Sequence, residues 1–169
     1  LSSGASYFSI NIPDISFSNW EDDGSIEKVV STCVDSVDKG KAKKYGFSIA
    51  EAFLYLGGDT NEAGNKRIPI SFEHRSRDAD NKKASKRSWK SWSNVSSGSF
   101  NDDHDKGSKA GCIYESSNLE IKAQIDGTDL QSTYGGDYSH SFSVTGTNEK
   151  GLTDTDTFAV SLSVIANNY

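Results

Sequence analysis

The sequence predicts an all-β protein, folded as an antiparallel β-sandwich. Apolar residues recur with a period of two rather than 3.6, which is typical of strands with one buried and one exposed face. Turn-forming residues separate these runs, as at Asp23-Gly24 and Gly135-Gly136. The 169 residues suit a single domain and suffice to bury a substantial core.

The strands follow one another along the whole chain. The clearest alternating runs cover residues 8–12, 15–17, 68–72, 119–125, 138–144 and 158–164. The segment YGFSIAEAFLYL, residues 45–56, is the one candidate for a helix, and a strand with an irregular end fits its alternation equally well. A polar Asn148-Glu149-Lys150-Gly151 turn separates the last two runs.

The last run, TFAVSLSVIA at residues 157–166, is long, apolar on one face and free of charge. A strand of this kind at a sheet edge would recruit another chain. We therefore expect it either to be buried inside the sandwich or to serve strand exchange.

Cys33 and Cys112 are the two cysteines, and they are either free thiols or one disulfide. The polar composition, rich in Ser, Gly, Asn and Asp, favours one disulfide and an oxidising compartment. A disulfide between them would close a long loop of the chain and would stabilise the folded state by about 4–5 kcal/mol in the chain-entropy model. Two cysteines without nearby histidines do not form a tetrahedral zinc site.

The overall charge and hydropathy exclude two classes of protein. A net charge of −6 argues against a general nucleic-acid binder. The sequence contains no apolar run long enough for a membrane-spanning helix. The first residues, Leu-Ser-Ser-Gly-Ala, lack a methionine and a signal-like stretch, and we interpret the chain as a mature or trimmed form.

Three segments carry a resemblance to a known family. They are STCVDSVDKGKAKKYGFSI at residues 31–49, GCIYESSNLEIKAQIDGTDL at 111–130 and YGGDYSHSFSV at 134–144. Each places a cysteine or a glycine-tyrosine turn before an alternating strand. Their order and spacing resemble the bacterial chaperone–usher pilins of the alternate and archaic type, including the spore-coat-U-like subunits.

The resemblance implies an incomplete immunoglobulin-like sandwich, pinned by one disulfide between Cys33 and Cys112, that a strand from a neighbouring subunit completes. Residues 1–18 would be an N-terminal extension and residues 19–169 the sandwich domain. Phe8, Ile10 and Ile12 would be the donor-strand residues that fill pockets in the neighbour. The implied partners are other pilin subunits, with a periplasmic chaperone and an outer-membrane usher during assembly. The implied location is extracellular, on a fimbrium at the cell surface, after export through the periplasm.

The tail departs from the family pattern, because the chain continues for about 25 residues beyond the glycine-tyrosine strand. One explanation is that the last strand is the family's terminal strand, paired as a hairpin with residues 138–144. The other is that the tail is a donor-like strand that completes the fold within its own chain. The second explanation predicts a monomer that is stable without a chaperone.

The stretch NKKASKRSWKSWS, residues 81–93, concentrates basic and aromatic residues in an acidic protein. It suggests a surface for an anionic polymer or a host glycan, with tryptophans stacking on sugars; the alternative is a solvated hairpin loop. Strand spacing would place the two tryptophans on opposite faces. The candidate ligand-binding residues are Lys82, Lys83, Lys86, Arg87, Trp89, Lys90 and Trp92.

Other polar clusters point more weakly to chemistry. The acidic residues Asp102–Asp105, and the pair Asp154 and Asp156, could hold calcium, but we favour a polar loop and a capped turn. His74, His104 and His140 stand apart from any nucleophile motif. We therefore expect no catalysis, no cofactor and no resident metal.

These observations lead to one main interpretation and one alternative. The main one is an extracellular structural or adhesive pilus subunit that assembles by donor-strand complementation, with adhesion at residues 82–92. The alternative is a secreted, monomeric carbohydrate-binding β-sandwich module of lectin type. The termini separate them, because a pilin needs an N-terminal segment that leaves its own fold.

Overall fold

The computed structural model describes residues 6–20, 25–38, 41–42, 44–50, 52–55, 67–95, 112–125 and 136–164. Within them, the structure contains strands and one short 3-10 helix, Ala84–Lys86, and no helix long or apolar enough to cross a membrane. The strands are β1 (Tyr7–Ser9), β2 (Ile15–Trp20), β3 (Ile26–Thr32), β4 (Asp35–Asp38), β5 (Lys41–Ala42), β6 (Tyr45–Ile49), β7 (Phe53–Tyr55), β8 (Arg67–Pro69), β9 (Ser71–Ser76), β10 (Ser93–Asn94), β11 (Leu119–Ile125), β12 (Gly136–Asn148) and β13 (Thr153–Val164).

Two four-stranded sheets form the body of the molecule. Sheet I has the strand order β2-β13-β12-β6, and sheet II has the order β10-β9-β11-β3. The ring of Phe72 on β9 lies 5.4 Å from that of Phe142 on β12 and 6.0 Å from that of Phe158 on β13, so the sheets pack face to face. The predicted all-β sandwich is confirmed, with one departure from a purely antiparallel arrangement, since β2 and β13 are parallel.

The period-two pattern determines which face of each strand is buried. On β11, Leu119, Ile121, Ala123 and Ile125 are all fully buried, while the residues between them are half-exposed. Burying one large aliphatic side chain contributes about 1.5–3 kcal/mol, so such a row stabilises the sandwich strongly. In the segment proposed as a possible helix, residues 45–49 form β6 and residues 53–55 form β7, so the helical alternative is wrong.

A tight turn joins β12 to β13 and sets their register. The side-chain oxygen of Asn148 accepts hydrogen bonds from the backbone N–H groups of Lys150 and Leu152, each at 3.0 Å. Gly151 has a φ of 86°, a left-handed conformation that favours glycine. The predicted turn at residues 148–151 is confirmed, and it brings the last strand back alongside β12.

Cys33 and Cys112 form the predicted disulfide, with a Cα–Cα distance of 6.1 Å. Beside it, the side chain of Asn118 mimics a strand partner for Val34. Its Oδ1 accepts from the Val34 N–H and its Nδ2 donates to the Val34 carbonyl, both at 2.8 Å and fully buried. This amide therefore supports the same junction that the disulfide pins covalently.

Candidate functional site

The first candidate site is the place of β13 in sheet I. β13 pairs antiparallel with β12 along its whole length and parallel with β2, where Val160 faces Ile15 and Leu162 faces Phe17. It therefore has strand partners on both sides. Of the two expectations for this strand, burial inside the sandwich is the one that the structure shows.

Both explanations of the long tail have a counterpart in this geometry. The hairpin with β12 is present, and it includes residues 138–144. β13 also closes the sheet between β12 and β2 within the same chain. Its buried side, from Phe158 to Val164, belongs to the main hydrophobic core. Among the described residues, β13 thus lies between β12 and β2 of the same chain, and self-completion in the sense of a donor strand stays a prediction.

The N-terminal segment also lies within the chain's own core. Phe8, Ile10 and Ile12 are 8%, 2% and 2% exposed. β1 pairs antiparallel with β4, and the proposed domain boundary at residues 18 and 19 falls inside β2. The alternation therefore identified side chains that fill pockets, and in this structure the pockets belong to the same chain. Donation of this segment to a neighbour stays a prediction.

Aspartate side chains fasten the segment between β1 and β2. The Oδ2 atoms of Asp154 and Asp156 accept hydrogen bonds from the backbone N–H groups of Ile10 and Ile12, at 3.0 and 3.2 Å. In the opposite direction, Oδ1 of Asp14 accepts from the Ala159 N–H at 2.9 Å. We call these three aspartates the carboxylate clamp. They bind a segment distant in sequence, whereas the β12–β13 turn is capped by Asn148, so the capped-turn expectation for Asp154 and Asp156 is wrong.

The second candidate site is the connection between β9 and β10, residues 77–92, called here the basic loop. At its base, the guanidinium carbon of Arg75 lies 5.2 Å from the ring centroid of Trp89 and 4.5 Å from that of Trp92. Arg77 lies 4.2 Å from the Trp89 ring, and Nζ of Lys122 lies 4.1 Å from the Trp92 ring. Two tryptophans and three cations thus form one cluster on the outside of sheet II.

This cluster corrects the expectation that Trp89 and Trp92 point to opposite faces. Both residues precede β10, so the period of two does not apply to them, and both rings contact the same arginine. Glu120 holds that arginine in place through an Oε1–Nε distance of 2.6 Å. Because each indole ring already has two cations against it, a sugar ring would have to compete with them for the same surface.

The basic side chains of the loop divide into two groups. Lys82, Lys83, Lys86 and Lys90 are exposed. Arg87 is half-buried, with its guanidinium 5.2 Å from the Tyr114 ring and its Nε 3.2 Å from Glu115. The predicted hairpin-loop position is confirmed, since β9 and β10 pair antiparallel on either side. These exposed lysines are the part of the stretch that faces solvent.

The described histidines pack against phenylalanine rings. His74, 3% exposed, lies edge-on to Phe47 at 5.2 Å, and His140 lies edge-on to Phe142 at 5.1 Å. Burial lowers the pKa of His74, and a hydrogen bond with the backbone of Asn94 partly opposes that shift. His104 and the candidate calcium ligands Asp102–Asp105 lie outside the described residues.

Comparisons with known proteins do not assign the chain to a family. No family model and no curated protein matches it. Among solved structures, it is similar to the ASH / PapD-like domain of human CEP192 (PapD-like domain 7), with a TM-score of 0.42 and 12% sequence identity. That similarity covers 94% of this chain and 86% of the other.

Proposed function

We propose that the chain is an extracellular structural subunit of pilus type that completes its own sandwich. The observation that carries the proposal is the position of β13 between β12 and β2. In the pilins that the sequence resembles, a neighbouring subunit supplies a completing strand. Here the residues beyond the glycine-tyrosine strand supply one within the chain.

The physical case rests on what sheet I would be without β13. Removing it would leave β2 and β12 unpaired along their facing edges and would open the core at Phe142 and Phe72. Unpaired backbone edges beside an apolar groove are the situation that strand addition relieves, because main-chain bonds supply affinity and alternate side chains supply register. β13 meets both requirements, since its buried residues alternate.

Self-completion determines the role of the subunit in an assembly. A chain whose groove is filled by its own strand does not need a donor, so it suits the end of a fibre and remains a monomer after purification. Contact with a neighbouring subunit would require the N-terminal segment to leave its place. The pairing of β1 with β4 and the hydrogen bonds of the carboxylate clamp hold that segment in place. Export through the periplasm to an outer-membrane usher belongs to the same proposal, and a self-completed chain would be stable there without a chaperone.

The test removes β13 and returns it in trans. A chain ending at residue 148 is refolded with and without a synthetic peptide of residues 153–164, and folding is followed by circular dichroism and light scattering. We expect the full chain to be monomeric and the truncated chain to fold only with the peptide. A peptide carrying Val160→Asp is the matched control and should fail, because Val160 is fully buried.

Two results would overturn the proposal. A truncated chain that folds alone would show that β13 is dispensable. Spontaneous polymers of the purified full chain would show that the groove is not filled within the chain.

A second candidate function is a secreted carbohydrate-binding module, and the preformed basic loop favours it. Such a module would also be monomeric. It differs in its ligand, because a binding module requires a glycan to bind the basic loop, whereas complementation in trans depends on the sandwich that both candidates share. Glycan binding by a monomer that does not assemble with other subunits would therefore support this second candidate.

A further inference from the structure

We infer that the basic loop is a docking surface for an acidic polysaccharide, a flexible chain that bears sulfate or carboxylate groups. The inference does not depend on how the sandwich is completed, because the loop lies on sheet II and β13 on sheet I. Residues 81–90 hold five of the chain's 18 basic residues and none of its 24 acidic residues. A local concentration of one charge on a protein of opposite net charge focuses the field at that place.

The loop has a fixed shape because its own groups close it. Oδ1 of Asn81 accepts from the Lys83 N–H at 2.9 Å, and Nη1 of Arg87 donates to the Asn81 carbonyl at 2.9 Å. The backbone N–H groups of Lys86 and Arg87 donate to Lys83 and Ala84, forming the 3-10 turn. The lysines are therefore presented by an ordered backbone, which lowers the entropy that binding would otherwise cost.

The segment after the disulfide anchors the loop to the body of the protein. The backbone N–H of Ile113 donates to Asp80 Oδ1 at 3.2 Å, and that of Tyr114 donates to the Ala79 carbonyl at 3.0 Å. Asp80 is 1% exposed. Its carboxylate consequently supports the loop from inside and does not face a ligand bound to the exposed lysines.

The charge distribution favours a polysaccharide over a duplex or a membrane. A nucleic-acid duplex or a lipid surface is an extended, negatively charged surface. It would also approach the acidic parts of the protein outside the loop and would be repelled by them. A flexible chain can follow the loop alone, and repulsion beyond the Debye length of about 8 Å is screened. The tryptophan rings are already contacted by Arg75, Arg77 and Lys122, so they are poorly placed to stack on nucleic-acid bases.

The experiment measures binding of the full chain to dextran sulfate, with neutral dextran of equal length as the ligand control, by isothermal titration calorimetry. The loop variant carries Lys82→Gln, Lys83→Gln and Lys86→Gln. The matched variant carries Lys28→Gln, Lys44→Gln and Lys150→Gln, three exposed lysines elsewhere that change the net charge equally. Circular dichroism confirms that both variants are folded.

We expect dextran sulfate to bind, neutral dextran not to bind, and affinity to fall between about 50 mM and about 200 mM salt. The loop variant should bind about tenfold more weakly, and the matched variant should stay within about twofold of the wild type. Equal losses in the two variants would overturn the loop as the site. Tighter binding to phosphatidylglycerol vesicles or to duplex DNA than to dextran sulfate would overturn the polysaccharide as its partner.

Discussion

The ring of Phe8 occupies the space that a side chain at residue 146 would need. A Cβ built on Gly146 lies 2.6 Å from two Phe8 ring carbons, which is too close for two non-bonded carbon atoms. Gly146 is on β12, where it faces Asp154 of β13 in the register. The N-terminal segment is thus fitted to sheet I by the absence of a side chain, as well as by its own apolar residues.

Gly146→Ala should consequently destabilise the protein by about 1–3 kcal/mol, as overpacking does. In a Phe8→Ala background the same change should cost less than about 0.5 kcal/mol, because the clash is gone. Urea unfolding of the four proteins in this cycle provides the measurement. Additive costs would show that Phe8 does not occupy this site in solution.

The carboxylate clamp predicts a local effect. Asp154→Ala and Asp156→Ala should each remove the acceptor for one backbone N–H, of Ile10 and of Ile12 respectively. Loss of one such bond should speed amide exchange at the affected residue by about tenfold. Hydrogen exchange read by NMR gives the rate at each amide. Asp137→Ala, at an exposed position on β12, is the matched control. If this variant speeds exchange at the Ile10 and Ile12 amides as much as the clamp variants do, the clamp is contradicted.

The buried amide beside the disulfide predicts a large effect from a small change. Asn118→Ala would leave both the N–H and the carbonyl of Val34 without their partner in a buried place. We expect a loss of about 2–4 kcal/mol in the free energy of unfolding. Asn94→Ala, at an exposed position, should change it by less than about 0.5 kcal/mol. Similar values for the two variants would argue against this role for Asn118.

Because of His74, we expect the free energy of unfolding to fall in mild acid. Burial lowers its pKa in the folded protein below the usual value of 6.5, so the unfolded chain takes up a proton that the folded chain resists. The stability from this residue is complete above about pH 6.5 and is lost as the pH falls from there toward the folded pKa, by up to about 1.4 kcal/mol per pH unit.

Unfolding free energies at several values between about pH 5 and pH 7.5 measure this loss. His74→Gln should flatten the dependence over that interval, because glutamine does not titrate. His140→Gln, at a half-exposed position, is the control and should leave the dependence on His74 in place. An unchanged slope in His74→Gln would assign the acid sensitivity to other groups.

The sequence by itself determined the most regular strands, because burial on a sheet depends on a period that side chains display directly. It did not separate β8 from β9 within residues 68–72, since the alternation continues although the two strands belong to different sheets. Leu119 to Ile125 and Phe158 to Val164 were predictable for this reason. The turn at Asn148-Gly151 and the disulfide also followed from residue types with few alternatives. The loop between β9 and β10 was evident from its charge.

Only the tertiary structure decided which groups meet. Alternation along residues 8–12 shows that they fill pockets, but not whose pockets, because register and partner depend on contacts distant in sequence. Asp154 and Asp156 looked like turn residues, since their partners lie 144 residues away. Trp89 and Trp92 share one arginine because their loop is not a strand. The position of β13 between β2 and β12 was also decided by the tertiary structure. The sequence of a strand shows which of its faces is buried, but its neighbouring strands depend on how the whole sheet packs.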